Sequence, residues 1–161
     1  EMGRATSTIL KELDRLNEKA VVIATTNLFE HFDKALIRRF DATIDFGRYS
    51  QQDLLEISES IINILLLKFK NCSHNIRLFK KIVQLMNPIP MPGELKNILK
   101  TAVAFSNPAD SYDYLKRLYV SAVGEKATDI KLLQKQGFTL REIEILTGIS
   151  KSQVSRNLQE G

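Results

Sequence analysis

The chain has 161 residues, of which 43% are hydrophobic and 26% charged, a balance that excludes an intrinsically disordered protein. The longest apolar stretch, residues 61–67, is too short to span a bilayer, and no signal peptide opens the chain, so we expect a cytoplasmic protein without a membrane partner. The single cysteine, Cys72, excludes an internal disulfide and has no neighbours for a metal site. The net charge of +4 permits a nucleic-acid partner without indicating one.

The first fifty residues combine helix and strand patterns. Apolar residues recur at helical spacing between Thr8 and Leu16, and residues 33–39 predict a second, short helix. Between these helices, residues 20–24 form a continuous apolar run, typical of a strand that is buried on both faces of a parallel sheet. Residues 42–46 alternate in the manner of a second strand. The sequence therefore predicts part of an α/β sheet, whose carboxyl edge is where such sheets bind ligands.

After residue 48 the pattern predicts helices only. Ser50 and Asp53 have the spacing of a capping box, which opens a long helix that ends near Phe69. The proline-rich segment 87–93 is predicted to be non-helical, because proline lacks an N–H donor and restricts the residue before it. Further helices are predicted at about 74–86, 94–105, 110–122, 128–136, 140–147 and 151–158.

The order of segments near the start resembles a known family. An apolar helix is followed by Val21-Val22-Ile23-Ala24-Thr25-Thr26-Asn27 and then by Asp33-Lys34-Ala35-Leu36-Ile37-Arg38-Arg39-Phe40-Asp41. This order resembles the second region of homology in the classical AAA group of AAA+ ATPases. The resemblance implies a mainly α chain with a small α/β remnant. The end of the parallel-sheet core would occupy residues 1–49, a four-helix lid 50–124, and a tri-helical module 125–161.

The resemblance implies catalytic roles for Asn27, Arg38 and Arg39. Asn27 would be the sensor 1 residue, whose amide can hold the attacking water and contact the γ-phosphate. Arg38 and Arg39 resemble the arginine fingers, which bring positive charge to the ATP of a neighbouring subunit. The alternatives are an asparagine in a turn at a strand end, and a solvated arginine pair bridged to Asp33 or Asp41. The sequence does not separate the two arginines.

Gly93 and Lys96 lie where AAA+ proteins place sensor 2 and would bind the nucleotide. Many members have arginine at the position of Lys96, and a lysine lacks the bidentate fork of arginine, so a solvated Lys96 is an equal alternative. The sequence has neither a Gly-x-x-x-x-Gly-Lys-[Ser/Thr] phosphate loop nor an apolar strand that ends in Asp-Glu. We therefore expect a fragment of a longer parent: the parent would use ATP and Mg²⁺, whereas this chain would bind neither and be inactive.

Residues 138–158 resemble a helix-turn-helix. Gly148 suits the left-handed position of the turn, and Ser150 would cap the second helix. Its exposed face would contact nucleic acid through Ser150, Lys151, Ser152, Gln153, Ser155 and Arg156. One departure is Glu144, where a small residue is usual, because a charged group at that point must turn outward or widen the packing. The alternative is a tri-helical module for protein contact.

Three functions follow. The leading hypothesis is the C-terminal fragment of an AAA-type ATPase. The parent would form a ring of identical subunits and couple ATP hydrolysis to the remodelling of an unknown protein or nucleic-acid partner. Residues 125–161, the tail, would have DNA as a further partner. The second is a DNA-binding or regulatory module with vestigial ATPase elements. The third, an all-helical interaction domain, leaves the order of segments in residues 20–46 unexplained.

Overall fold

The computed structural model describes residues 2–17, 19–124 and 128–159. The chain divides into two compact units, residues 1–48 and residues 49–161. The division into three parts that we expect from the sequence, with a boundary after residue 124, stays a prediction. No helix in the described ranges is both long and apolar enough to cross a membrane.

The first unit contains short helices and little core. They are α1 (Met2–Leu13), a 3₁₀ helix (Phe29–His31) and α2 (Lys34–Ile37). Asp33 caps α2, since its Oδ1 accepts a hydrogen bond from the N–H of Ala35 at 2.7 Å. Among the described residues of this unit, Leu36 is the buried apolar side chain. The described part of this unit therefore has no large apolar core.

The structure corrects the prediction of two strands in the first unit. Within the described residues neither 20–24 nor 42–46 forms a strand. Their apolar side chains are exposed instead, with 87% of Val21, 84% of Ile23 and 76% of Ile44 accessible. A strand requires the backbone of a neighbour to hydrogen-bond with, and the described part of the unit offers none. The prediction of a mainly α chain is confirmed, whereas the strands of the expected α/β remnant are not formed among the described residues.

Among its described residues, the second unit is built of helices joined by loops and contains no strand. Its helices are α3 (Gln51–Lys68), α4 (Ile76–Gln84), α5 (Pro92–Ala104), α6 (Asp113–Val123), α7 (Ile130–Lys135), α8 (Leu140–Thr147) and α9 (Lys151–Gln159). The predicted capping box at Ser50 and Asp53 is formed. Pro92 and Gly93 were expected outside the helix but begin α5, because proline is well suited to the first helical position, where no partner for its N–H is needed.

One apolar core runs through this second unit. Helix α3 packs on α4 and α5, and α6 packs on α4, α5 and α8. Helices α7 and α9 pack on α8 and on each other. The core cluster joins residues of the first four helices, such as Leu99 and Leu118, to residues of the last three, such as Leu133, Ile143 and Val154. The last three helices are therefore docked on the four before them.

Candidate functional site

The first unit places Arg39 in a bidentate ion pair with Asp14. Its Nε donates to Asp14 Oδ1 at 2.9 Å, and its Nη2 donates to Oδ2 at 3.3 Å. The hydrogen bond from Arg39 lowers the pKa of Asp14, and Asp14 raises the pKa of Arg39 in return. The partner is neither Asp33 nor Asp41, the two that the sequence suggested. This pair ties the second residue after α2 to the first residue after α1, and nothing in the sequence pattern distinguished Asp14.

Arg38 and Asn27 are exposed and lack such partners. Arg38 forms the C-cap of α2, and no ion pair of its guanidinium is found in the described part of the chain. Asn27 lies in a bend, beside the turn in which Thr26 Oγ1 accepts the N–H of Leu28 at 2.9 Å. An exposed amide and an exposed, unpaired guanidinium are both available for an anionic ligand.

A cleft of about 300 Å³ lies beside Arg39 in this first unit. Six of its eight lining residues are apolar, among them Leu13, Leu16, Val22 and Phe40. Neither Asn27 nor Arg38 belongs to the lining, so the cleft does not join the three predicted catalytic residues. The catalytic roles of these three residues stay a prediction.

Gly93 and Lys96 belong to the second unit. Both lie in the first turns of α5, and the side chain of Lys96 is exposed. A methyl group added at Gly93 would meet no atom within 4 Å, so the space around it is open. An exposed ammonium group fits a phosphate as a point charge. No group of three or more His, Cys, Asp or Glu side chains in the described ranges could hold a metal ion. We therefore identify no Mg²⁺ ligands among the described residues.

In the described part of the tail, residues 128–159, helices α8 and α9 are joined by a tight turn. Gly148 ends α8 in the left-handed conformation, with φ of 75° and ψ of 1°, and its N–H donates to Glu144 O at 2.8 Å. Thr147 Oγ1 accepts the N–H of Ile149 at 3.2 Å, which closes the turn. Val154 is fully buried between the helices. The turn therefore fixes the angle at which α9 leaves α8.

Glu144 links these two helices. Its Oε1 accepts a hydrogen bond from the backbone N–H of Lys151 at 3.0 Å, so a residue of α8 caps the first turn of α9. Ser150, the predicted cap, supplies its carbonyl to the N–H groups of Gln153 and Val154, both at 2.9 Å. The departure at Glu144 is thus accommodated by an outward-turned carboxylate that stabilises the second helix.

The outer face of α9 carries positive charge and amides. Lys151, Ser152, Gln153 and Arg156 are exposed, whereas Ser155 is half-buried. Helix α9 contains no acidic residue. Five of the six residues predicted to contact nucleic acid, Ser150 included, are therefore accessible, and Ser155 is partly covered.

A charged contact fixes the tail to the rest of its unit. Lys81 of α4 donates to Glu142 Oε2 at 2.7 Å and to the carbonyl of Gly137 at 3.0 Å. Glu142 also accepts the N–H of Thr139 at 2.8 Å within a capping box that the Thr-x-x-Glu spacing could have predicted. Burial alone would raise the pKa of Glu142, but the hydrogen bonds from Lys81 and Thr139 outweigh it and hold the pKa below its usual value.

Aromatic packing supports the same contact. The rings of Tyr119 on α6 and Phe138 meet edge to face, with centroids 5.6 Å apart. Tyr119 Oη donates to Gln136 Oε1 at 2.8 Å, and Lys81 Nζ lies 5.6 Å from the centre of the Phe138 ring. Tertiary contacts, rather than any local pattern, thus join residues predicted to lie in separate domains.

Comparison with protein families bears on the first unit. Residues 1–48 match the model of the ATPase family associated with various cellular activities (AAA). These 48 residues, which we call the AAA region, are similar to that family. The AAA region contains Asn27, Arg38 and Arg39. Comparisons with curated proteins and with solved structures returned no match.

Proposed function

We propose that the AAA region contributes Asn27 and Arg38 to ATP hydrolysis in an assembly of identical subunits. The observation that supports this proposal is the contrast between the two arginines of the AAA region: Arg39 is held by Asp14, whereas Arg38 is exposed and unpaired within the described residues. A guanidinium that acts on another subunit must be free of its own chain. We therefore assign the finger role to Arg38 and a positioning role to Arg39.

The chemistry of phosphoryl transfer fits this division. Negative charge redistributes over the γ-phosphate in the transition state, and a guanidinium stabilises that charge through two parallel hydrogen bonds. Asn27 can accept from the attacking water with its amide oxygen while its NH₂ group contacts the phosphate. Arg39 holds the end of α2 to the end of α1 and so sets the place from which Arg38 projects. The proposal includes a longer protein that supplies the phosphate loop and the Mg²⁺ ligands.

The test uses that longer protein, in which Arg38→Ala and Asn27→Ala are each made. We expect Arg38→Ala to lower ATP turnover by about 10³-fold or more while ATP binding is retained. If Arg38 acts across an interface, a mixture of the two inactive variants regains activity, because an Asn27→Ala subunit supplies its Arg38 to an intact neighbouring Asn27. Arg15→Ala is the control, since Arg15 is an exposed arginine paired locally with Glu12.

Two outcomes would contradict the proposal. Normal turnover of both Arg38→Ala and Asn27→Ala would exclude a role in hydrolysis. Loss of turnover in Arg39→Ala with normal turnover in Arg38→Ala would reverse the two assignments.

We propose that the tail binds duplex DNA as a second function. The observation that favours DNA over a protein partner is the outer face of α9, which carries Lys151 and Arg156 with no acidic residue in the helix. Phosphate contacts need such cations, and amide and hydroxyl groups between them suit base edges in the major groove. The turn at Gly148 and the cap from Glu144 hold α9 rigidly for this purpose.

Labelled duplex titrated against the full chain at about 50 mM and about 200 mM salt tests this role. We expect binding that weakens with salt, and Lys151→Glu with Arg156→Glu should abolish it. The matched control is Lys68→Glu with Lys70→Glu, which makes the same change of charge at exposed lysines near the end of α3. Absence of binding at both salt concentrations, or an equal loss in the control, would contradict the proposal.

A further inference from the structure

Two carboxamides lie one helical turn apart on the outer face of α9. Gln153 and Asn157 are separated by four residues, so their side chains share one face of the helix. Both are exposed, and neither side chain makes a hydrogen bond to another residue within the described ranges. Asn157 is absent from the contacts predicted from the sequence, since that set ends at Arg156.

Burial fixes the direction in which this face points. Val154, which lies between the two amides in sequence, is fully buried against α8, and Leu158 is half-buried. A residue one position away from Val154 or Leu158 lies on another side of the helix, because each residue turns the helix by about 100°. Gln153 and Asn157 therefore lie off the buried side of α9, and Arg156, two positions from both Val154 and Leu158, lies opposite that side.

We propose that Gln153 and Asn157 read two adenines in the major groove, and this inference rests on the proposed DNA function. The carboxamide of glutamine or asparagine matches adenine in a bidentate manner: its oxygen accepts from the N6 amino group, and its NH₂ donates to N7. No other base presents this donor and acceptor pair at the same edge of the groove. The tail then recognises a specific base sequence and does not bind only to the phosphate backbone of DNA.

The spacing of the two amides limits the site. Four residues of helix rise by about 6 Å. Successive base pairs are about 3.4 Å apart, so the two adenines lie at most about two base-pair steps from each other. Lys151 and Arg156 supply phosphate contacts, which fix the register of α9 without selecting bases. Affinity and specificity are thus divided between the cations and the amides of one helix.

The experiment selects bound duplexes from a random-sequence pool with the full chain and sequences them. We expect adenine to be enriched at two positions no more than about two steps apart. Gln153→Ala should relax one position and Asn157→Ala the other, each by about 5- to 150-fold in discrimination. Gln134→Ala, at an exposed glutamine of α7, is the matched control and should leave both positions unchanged.

Base analogues test the contact itself. Replacement of a selected adenine by 7-deazaadenine removes the N7 acceptor, so it should weaken binding by the parent chain and have no effect on the variant that has lost the corresponding amide. Salt-dependent binding without adenine preference would overturn the readout while leaving the DNA function standing. Absence of any binding at about 50 mM salt would overturn both. A circular dichroism spectrum shared by all variants excludes loss of the fold as the cause.

Discussion

Lys81 makes a charged contact between the tail and the first four helices of its unit. Its Nζ bonds to Gly137 and Glu142, which lie 56 and 61 residues further along the chain. The pair is largely buried, with 26% of the Lys81 side chain and 10% of the Glu142 side chain exposed. A buried carboxylate that loses its partner retains the full cost of its desolvation. Neighbouring Lys80, by contrast, pairs with Glu59 in a more exposed position.

We therefore expect Lys81→Met to lower the free energy of unfolding by about 1–3 kcal/mol, because it leaves Glu142 without its main hydrogen-bond donor. Lys80→Met is the matched control on the same helix and should cost about 1 kcal/mol or less. Urea titration at neutral pH measures both. The pKa of Glu142 is lowered from 4.5 in the folded chain. The contribution of ionised Glu142 to the free energy of unfolding is therefore complete above pH 4.5, and it is lost as the pH falls through the lower pKa of the folded state. A difference between wild type and Lys81→Met that does not become smaller in strong acid would contradict this mechanism.

At the scale of elements, the turn between α8 and α9 determines how the outer face of α9 is presented. Gly148 has φ of 75° and no atom within 4 Å of an added methyl group, so the requirement for glycine is one of backbone conformation and not of space. Glu144 caps α9 across this turn, and Val154 packs beneath it. Two helices that would be marginal in isolation are thereby held at one angle.

Gly148→Ala should destabilise the second unit by about 1–2 kcal/mol, which is the cost of a left-handed conformation for a residue with a Cβ. The matched control is Gly93→Ala in the first turn of α5, where the surrounding space is also open and no positive φ is required. That substitution should be neutral or slightly stabilising, since alanine favours a helix. Thermal unfolding followed by circular dichroism compares the two variants, and an equal loss in both would show that the turn does not need glycine.

At the scale of the whole molecule, apolar burial is distributed unequally between the two units. In the described ranges, Leu36 is the buried apolar residue of the first unit, whereas the core cluster of the second extends from Leu54 to Val154. The first unit also exposes Val21, Ile23 and Ile44. Because apolar burial is the dominant favourable term in folding, the second unit should account for most of the stability of the chain.

We accordingly expect residues 49–161 to unfold cooperatively without the first unit. Their melting temperature should lie within about 4 °C of the transition of the full chain, a shift that corresponds to a change of less than about 1 kcal/mol. Leu99→Ala, at a fully buried site, should lower the transition of both chains, whereas Ile23→Ala, at a site that is 84% exposed, should leave that of the full chain unchanged. Differential scanning calorimetry measures these values. A much lower transition for residues 49–161 alone would contradict the expected independence.

The sequence determined the features that depend on neighbouring residues. Helical periodicity placed the helices of the second unit, Ser50 and Asp53 indicated a capping box, and Gly148 indicated the left-handed turn. The order of segments also predicted the AAA resemblance, which the family match confirms for residues 1–48. Each of these signals lies within a few residues or within one continuous stretch, so no knowledge of the fold was needed to find it.

Only the tertiary structure decided the features that join distant residues. Periodicity predicted two strands, but a strand is formed by its neighbours, and residues 20–24 and 42–46 have none in the described part of their unit. The same limit applies to Arg39, whose partner Asp14 lies 25 residues away, and to Lys81, whose partner Glu142 lies 61 residues away. A pairing across such distances depends on how the helices pack, and packing is a property of the folded chain rather than of any local pattern.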